Sequence, residues 1–303
     1  MTIGSLSGVL VVAKEPGPTS HDIVALVRRL SGVKRVGHGG TLDPFAAGVL
    51  PVFVGRATRL VEYHLADEKE YRALVCFAAR STTDDRDGEL TPGEAPGPGR
   101  EQVETALAAF VGEIEQVPPD YSAVRIGGRR AYELARHGRK PELRPRRVTI
   151  KSLTLSEWDE TDPDRPIGTV ELHCSAGTYV RALARDLGEK LGCGAYLGAL
   201  TRTASGPFRL GDAHSLERVR EALGSGRSGE ILLPPDAGLE SYPRLALEPS
   251  ELDTLARGQP VRLHDAIEDG LLRIVDQQGR LAAMARNSQG VLHPEKVFHS
   301  LAG

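Results

Sequence analysis

An α+β fold in two parts is what this chain predicts, and three features of its pattern carry the prediction. Strand-length apolar runs and stretches of helical spacing alternate without the regular strand–helix–strand rhythm of a doubly wound sheet. From about residue 242 the chain turns into short strand-like pieces around turns. Between the two regimes lies the Gly/Ser-rich tract 224–230, which reads as a loop or linker. The 303 residues suit two domains, or one large domain with an appendage, and 40% hydrophobic residues can bury a real core. The boundaries expected are a larger domain over 1–235 and a small one over 242–303.

In chain order, residues 8–13 form a short apolar strand that leads to Lys14 and a turn at Glu15-Pro16-Gly17-Pro18. Thr19-Ser20 can cap a helix with Ile23, Leu26, Val27 and Leu30 on its inner face. A Gly-rich loop from Gly37 follows, then a strand over 48–54, and Ala57, Leu60, Val61 and His64 at helical spacing. Residues 70–77 alternate, with Tyr71, Ala73, Val75 and Phe77 on one face and Arg72, Leu74 and Cys76 on the other. The stretch 81–99 is polar, with a turn at Asp87-Gly88, and a helix over 101–111 comes next. Residues 125–147 carry nine Lys/Arg against two Asp/Glu; within them 129–137 has helical character, ended by Gly138. Strands over 148–157 and 169–174 flank a Pro/Asp turn. A helix over 178–191, capped by Thr178, carries Val180, Leu183, Ala184, Leu187 and Leu191 on one stripe, with Gly192 after it. Three short strands, over 260–263, 271–275 and 281–286, complete the small domain.

Composition excludes several classes. A net charge of −3 gives no global signal for nucleic acid. Cys76, Cys174 and Cys193 lack CxxC spacing, which points to buried small side chains rather than zinc ligation or a disulfide framework. There is no basic segment followed by an apolar stretch and no run of 18 apolar residues, so a soluble, cytoplasmic protein is expected, with no membrane partner. No Walker A loop, no GxGxxG after a strand, no HExxH and no GxSxG is present. No second His stands at metal spacing from His38, so no metal site is expected.

Four features remain. Asp43 sits in the run Gly37-His38-Gly39-Gly40-Thr41-Leu42-Asp43-Pro44. Pro44 keeps Asp43 out of the helical region, and the glycines allow close approach of another chain. The residues fit either an ordinary Asp-Pro turn or a loop that presents one carboxylate outward. No second carboxylate lies in the same loop, which disfavours a two-acid glycosidase scheme. Arg181 stands in the first turn of a helix, where the dipole disfavours cations, and Arg185 one turn later adds repulsion. It is either a solvated arginine or the partner of an anion. The basic stretch 125–147 is either a solvated hairpin or a surface for a polyanion, with Tyr121 and Tyr132 available for base stacking. Tyr71, Tyr179 and Leu200 read as core residues, and His38 as a loop residue, ligand or general acid.

The segment GHGGTLDPFAAGVLPVFVGRATRL resembles the catalytic motif of the TruB family of tRNA pseudouridine(55) synthases. KEPGPTSHDIV, KEYRA, PPDYSAVRIGGRRAYELARHG, CSAGTYVRALARDLGEKLGCGAYLGALTRT and LHPEKVF are similar to further family segments, in the family's order. Over residues 8–210 the likeness is dense, and beyond that it thins. One departure is the proline of Lys14-Glu15-Pro16-Gly17, which the family usually has directly after the lysine. The resemblance implies a mixed, largely antiparallel catalytic sheet with a small PUA-like RNA-binding module. It implies isomerisation of uridine to pseudouridine at position 55 in the T-loop of tRNA, without cofactor or metal. The N1–C1′ bond breaks, the base turns, and C5 rejoins the sugar. Asp43 then matches the catalytic aspartate, by direct attack on the sugar or by removal of a ribose proton. Arg181 matches the arginine that pairs with it, and Tyr71 the ring that stacks on the flipped base. His38, Tyr179, Leu200 and Lys14 match substrate-binding positions. Flipping costs on the order of a few kcal/mol, and stacking returns about 1–3 kcal/mol. Arg125, Arg129, Arg130, Arg146 and Arg147, in a basic segment of about 121–147, would contact RNA. The partner expected is the T-arm of tRNA, bound by a monomer that needs no other protein.

Overall fold

The structure, a computed structural model, describes residues 6–139, 141–263 and 265–299; Lys140 of the basic segment lies outside the described residues. In chain order it begins with β1 (Gly8–Lys14), α1 (Ser20–Ser31), β2 (Val36–His38), β3 (Ala47–Val54), a 3-10 turn (Gly55–Leu60), α2 (Val61–His64) and β4 (Lys69–Phe77). There follow β5 (Ala79–Ser81), β6 (Leu90–Pro92), α3 (Arg100–Ala108), β7 (Gly112–Gln116), β8 (Arg125–Ile126), β9 (Arg129–Arg130) and α4 (Ala131–Arg136). Then come β10 (Arg146–Asp159), β11 (Ile167–Cys174), α5 (Val180–Leu191), β12 (Ala195–Ser205), β13 (Phe208–Arg209) and α6 (Leu216–Gly224). The C-terminal part holds β14 (Arg244–Ala246), α7 (Pro249–Ala256), β15 (Val261–Arg262), β16 (Gly270–Val275), β17 (Leu281–Ser288) and β18 (Val291–Val297).

The main sheet runs β1-β3-β12-β4-β11-β10-β7, with β2 on β3 and β13 on β12. Only the β3–β12 pairing is parallel, so the sheet is mixed and largely antiparallel, as expected. The apolar run of β3 follows from burial on both faces. Leu50, Val52 and Val54 join Leu10, Val12 and α1's Ile23, Val24 and Val27 in one cluster. Val49 and Phe53 join Val9, Val11, Ala57 and Phe208 in a second, on the opposite face. Along one edge β3 is served first by β12, at residues 47–48, and then by β2, at residues 52–54. The Gly-rich loop leaves the sheet where this handover occurs.

Several elements differ from the sequence reading. Strand β12, at the centre of the sheet, carries Gly198, Thr201, Arg202 and Thr203, and a bulge between Leu197 and Ala199 breaks its alternation. Such a pattern has no period to read. The expected helix over 178–191 begins at Val180, and Thr178 does not cap it: its Oγ1 donates to Ser175 O at 2.9 Å. Gln116, at the end of β7, instead accepts from the Tyr179 N–H at 2.8 Å. Only 131–136 of the expected 129–137 helix is helical, because Arg129–Arg130 pair with Arg125–Ile126 as a hairpin. The polar tract 81–99 contributes β6, which pairs with β5 just before it.

The C-terminal part is the β-rich domain expected, a five-stranded sheet ordered β14-β16-β17-β18-β15 that also carries α7. It docks on the 55–64 segment. Arg59 donates to Val297 O at 2.6 Å and lies over the Phe298 ring, and Lys296 pairs with Glu62 at 2.8 Å. Leu60, Leu239, Met284 and Phe298 close an apolar cluster across this contact.

Candidate active site

The loop bearing Asp43 is pinned on both sides of that residue. Ser20 Oγ, at the start of α1, accepts from Leu42 N at 2.8 Å and donates to Leu42 O at 3.1 Å. On the other flank Pro44 O accepts from Gly17 N at 2.8 Å. Lys14, 1% exposed, points its ammonium at the carbonyls of Glu15, Pro44 and Ala46, at 3.0, 3.1 and 2.6 Å. Burial pulls its pKa down to about 8 against the attraction of Asp43. The one-residue displacement of Pro16 therefore leaves both Lys14 and Gly17 bonded to this loop. With its backbone fixed, Asp43 turns a carboxylate that is one-third exposed toward a cavity.

Arg181 arrives from the first turn of α5. Its Nε lies 2.9 Å from Asp43 Oδ2 and its Nη2 3.3 Å from Oδ1, a two-pronged contact that fixes the carboxylate's plane. The anion that its position on the helix called for is thus Asp43, joined by a second carboxylate. Asp85 Oδ2 lies 3.3 Å from Arg181 Nη1, and the carbonyls of Thr83 and Tyr121 take further N–H bonds at 3.1 and 3.0 Å. Burial pushes the Asp85 carboxyl up, while Thr83 and Arg181 pull it back. Arg185 is no source of unrelieved repulsion: it pairs with Asp84 and Asp186 at 2.9 and 2.8 Å and donates to Val117 O. Two arginines one turn apart therefore clamp the 83–85 loop and the 117–121 segment to α5.

The cavity has a volume of about 280 Å³ and is walled by Asp43, Tyr71, Tyr179, Arg181 and Leu200, with Lys69, Arg202, Ser122 and the half-exposed Leu65. Register explains the grouping. Tyr71 lies opposite Arg202 and Ala73 opposite Leu200 in the β4–β12 pair, so these four share one face of the sheet. Burial raises the phenols of Tyr71 and Tyr179, and both stay neutral at physiological pH. The cavity lies between Tyr71 and Leu200 and reaches the Asp43 carboxylate.

Two of the positions matched to substrate binding lie elsewhere. His38 sits on β2 beside a shallow hollow with Lys34, Arg35 and Thr58, outside the Asp43 cavity, and burial lowers its imidazole pKa. Lys14 stands behind the loop, its ammonium spent on carbonyls. Arg125, Arg129, Arg130, Arg146 and Arg147 are all exposed, on the β8–β9 hairpin and the start of β10. Sequence reasoning missed Asp85, whose setting Thr82-Thr83-Asp84-Asp85-Arg86-Asp87 reads as a polar turn, and Arg202 and Gln116, single polar residues on strands. The available signal was the charged side chain of Arg202 two positions from Leu200 on an otherwise uncharged strand. A larger cavity of about 1210 Å³ opens between the main sheet and the C-terminal domain, bounded by Leu233, Pro234, Arg244 and Phe298, away from Asp43.

Known proteins resemble the chain along most of its length. A family model described as TruB family pseudouridylate synthase (N terminal domain) matches residues 28–180. A tRNA pseudouridylate synthase B C-terminal domain matches 181–240, and a pseudouridine synthase II TruB C-terminal model matches 243–298. Proteins named tRNA pseudouridine synthase B are similar along most of the chain. That of Symbiobacterium thermophilum is 50% identical over 243 residues, covering 80% of this chain and 79% of its own. That of Pseudomonas aeruginosa is 40% identical over 300 residues, covering 98% and 97%. Among solved structures, a chain of an H/ACA RNP bound to a substrate RNA containing 2′-deoxyuridine is 26% identical with a TM-score of 0.72, covering 97% of this chain and 85% of that one. A chain of a Cbf5-Nop10-Gar1 complex is 28% identical with a TM-score of 0.70, covering 96% and 85%. The chain belongs to the TruB family of pseudouridylate synthases and is an isomerase.

Proposed function

We propose that this enzyme converts uridine to pseudouridine at position 55 in the T-loop of tRNA, and that Asp43 is the carboxylate that acts on the ribose. The observation that carries the reading is the Asp43–Arg181 pair at 2.9 Å on the wall of a cavity that also holds Tyr71 and Leu200. The relatives' names supply the tRNA; the T-loop position rests on the likeness of the motifs. A uridine inside a folded loop must leave its stack to reach Asp43, and the Tyr71 ring returns part of that cost. The N1–C1′ bond then breaks with the carboxylate beside the sugar, either as nucleophile at C1′ or as base toward a ribose proton. The freed uracil turns within the cavity, C5–C1′ forms, the C5 proton is lost, and N1 gains one. Arg181 holds the carboxylate through these steps, and Asp85 balances the arginine's charge. The isomerisation is redox-neutral, so these protein groups suffice.

The test is release of tritium from C5-labelled uridine in an unmodified T-arm hairpin, with pseudouridine mapped by chemical labelling. Release from the position equivalent to 55, and its loss in Asp43→Asn, is the expected result. Modification elsewhere only, or undiminished release in Asp43→Asn, overturns the reading.

A further inference from the structure

Arg202 has no place in the reaction just described, yet it is among the largest side chains that the protein buries completely. Taking a guanidinium out of water costs several kcal/mol unless its donors are satisfied. Its donors go to backbone. Nε donates to Val49 O at 2.8 Å, Nη1 to Thr41 O at 3.3 Å and Nη2 to Gly40 O at 3.1 Å. Val49 belongs to β3, whereas Gly40 and Thr41 belong to the loop that ends at Asp43. Gly40 has φ +126°, a conformation that other residues rarely adopt. On its own strand Arg202 lies directly across from Tyr71, and the guanidinium reaches that phenol. One buried side chain thus touches the sheet, the loop two residues before the proposed acid, and the ring proposed to hold the base. An apolar side chain there would join none of these.

We infer that Arg202 is a positioning residue: by bonding Gly40 and Thr41 while lying against Tyr71, it fixes the Asp43 carboxylate relative to the base-stacking ring. The inference rests on the reading of Asp43 and Tyr71 given above. Three carbonyls on two segments suit a planar fork with several donors. Each carbonyl is met here by a different nitrogen of the fork, and a lysine at 202, with one nitrogen, loses that spread. Nothing in this role requires contact between Arg202 and RNA, so it separates from substrate binding.

The experiment compares full-length wild type, Arg202→Lys and Asp43→Asn on an unmodified tRNA transcript. Single-turnover rate, tRNA affinity and amide hydrogen exchange are all measured. For Arg202→Lys the expected result is an affinity within about two-fold of wild type and a rate lower by about 10- to 100-fold, the scale of a misplacement near 1 Å. Amides of 39–43 exchange faster, while those of β4 and β12 keep their protection. A rate within two-fold of wild type overturns the inference. So does loss of protection throughout β4 and β12 with rate and affinity falling together, since Arg202 would then be a core residue. An active wild type with a dead Asp43→Asn and a fully active Arg202→Lys defeats this inference alone. An inactive wild type, or an active Asp43→Asn, defeats the underlying reading with it.

Discussion

Arg181 satisfies two carboxylates and two carbonyls at once, and its side chain is only 6% exposed. Removing it outright leaves Asp43 and Asp85 facing each other uncompensated, a loss of about 3–5 kcal/mol that confuses folding with catalysis. Arg181→Lys keeps the charge and gives up the two-pronged grip. Its single-turnover rate should fall about ten-fold or more, with tRNA affinity within two-fold; equal losses in both would contradict the pairing's catalytic purpose. A cation in a helix's first turn left open an anionic partner, and the likeness of the motifs named Asp43 as that partner. Asp85 was not legible, because an aspartate among threonines looks like any turn until the fold brings it to α5. Lys14 makes a second prediction. Its pKa is about 8 in the folded state against 10.5 for a lysine in water, as in the unfolded chain, so between those values the unfolded chain binds the extra proton. Stability of wild type relative to Lys14→Met should therefore rise with pH from about 8 to 10.5, by at most about 1.4 kcal/mol per pH unit. Urea denaturation at about pH 7.5, 9 and 10 measures it, and parallel curves for the two proteins would contradict the assignment.

At the scale of elements, β3 and β12 approach so closely that a side chain at Gly48 has no room. A Cβ there would lie 2.2 Å from Arg202 O, and φ is +111°. Gly48→Ala should cost about 2 kcal/mol or more, read as a lowered urea midpoint, and should impair catalysis through β12 as well. A midpoint unchanged from wild type would mean that this parallel contact is looser than described. Period explains which elements the sequence revealed. Strand β4 alternates cleanly because one face is core, and α5 carries an unbroken apolar stripe. Strand β12 hid because a bulge shifts its alternation and a buried arginine interrupts it. The cap of α5 hid because Gln116 supplies it from a strand more than sixty residues earlier. No local pattern carries information about a partner that distant in sequence.

Over the whole molecule, a net charge of −3 coexists with an exposed basic hairpin near one lip of the cavity. What a polyanion meets is the local cluster, not the sum. Replacing Arg125, Arg129 and Arg130 by alanine should weaken tRNA binding and flatten the slope of log affinity against log salt by about 2–3, at roughly 0.7–0.9 per lost phosphate contact. The rate at saturating tRNA should stay within about two-fold. An unchanged salt slope would remove the hairpin from the RNA surface. No helix among the described residues is long and apolar enough to cross a membrane. The C-terminal domain is tied to the 55–64 segment through Arg59, Lys296 and the Leu60–Met284 cluster, so its sheet is held at a fixed place beside the catalytic one.

Single-turnover tritium release from C5-labelled uridine in unmodified tRNA, wild type beside Asp43→Asn, tests the central claim most directly. The neutral amide keeps the size of the side chain but removes the charge that Arg181 grips, and the rate should drop by at least about 10²- to 10⁴-fold with tRNA still bound. An Asp43→Asn enzyme that releases tritium at the wild-type rate would show that the chemistry belongs to another group.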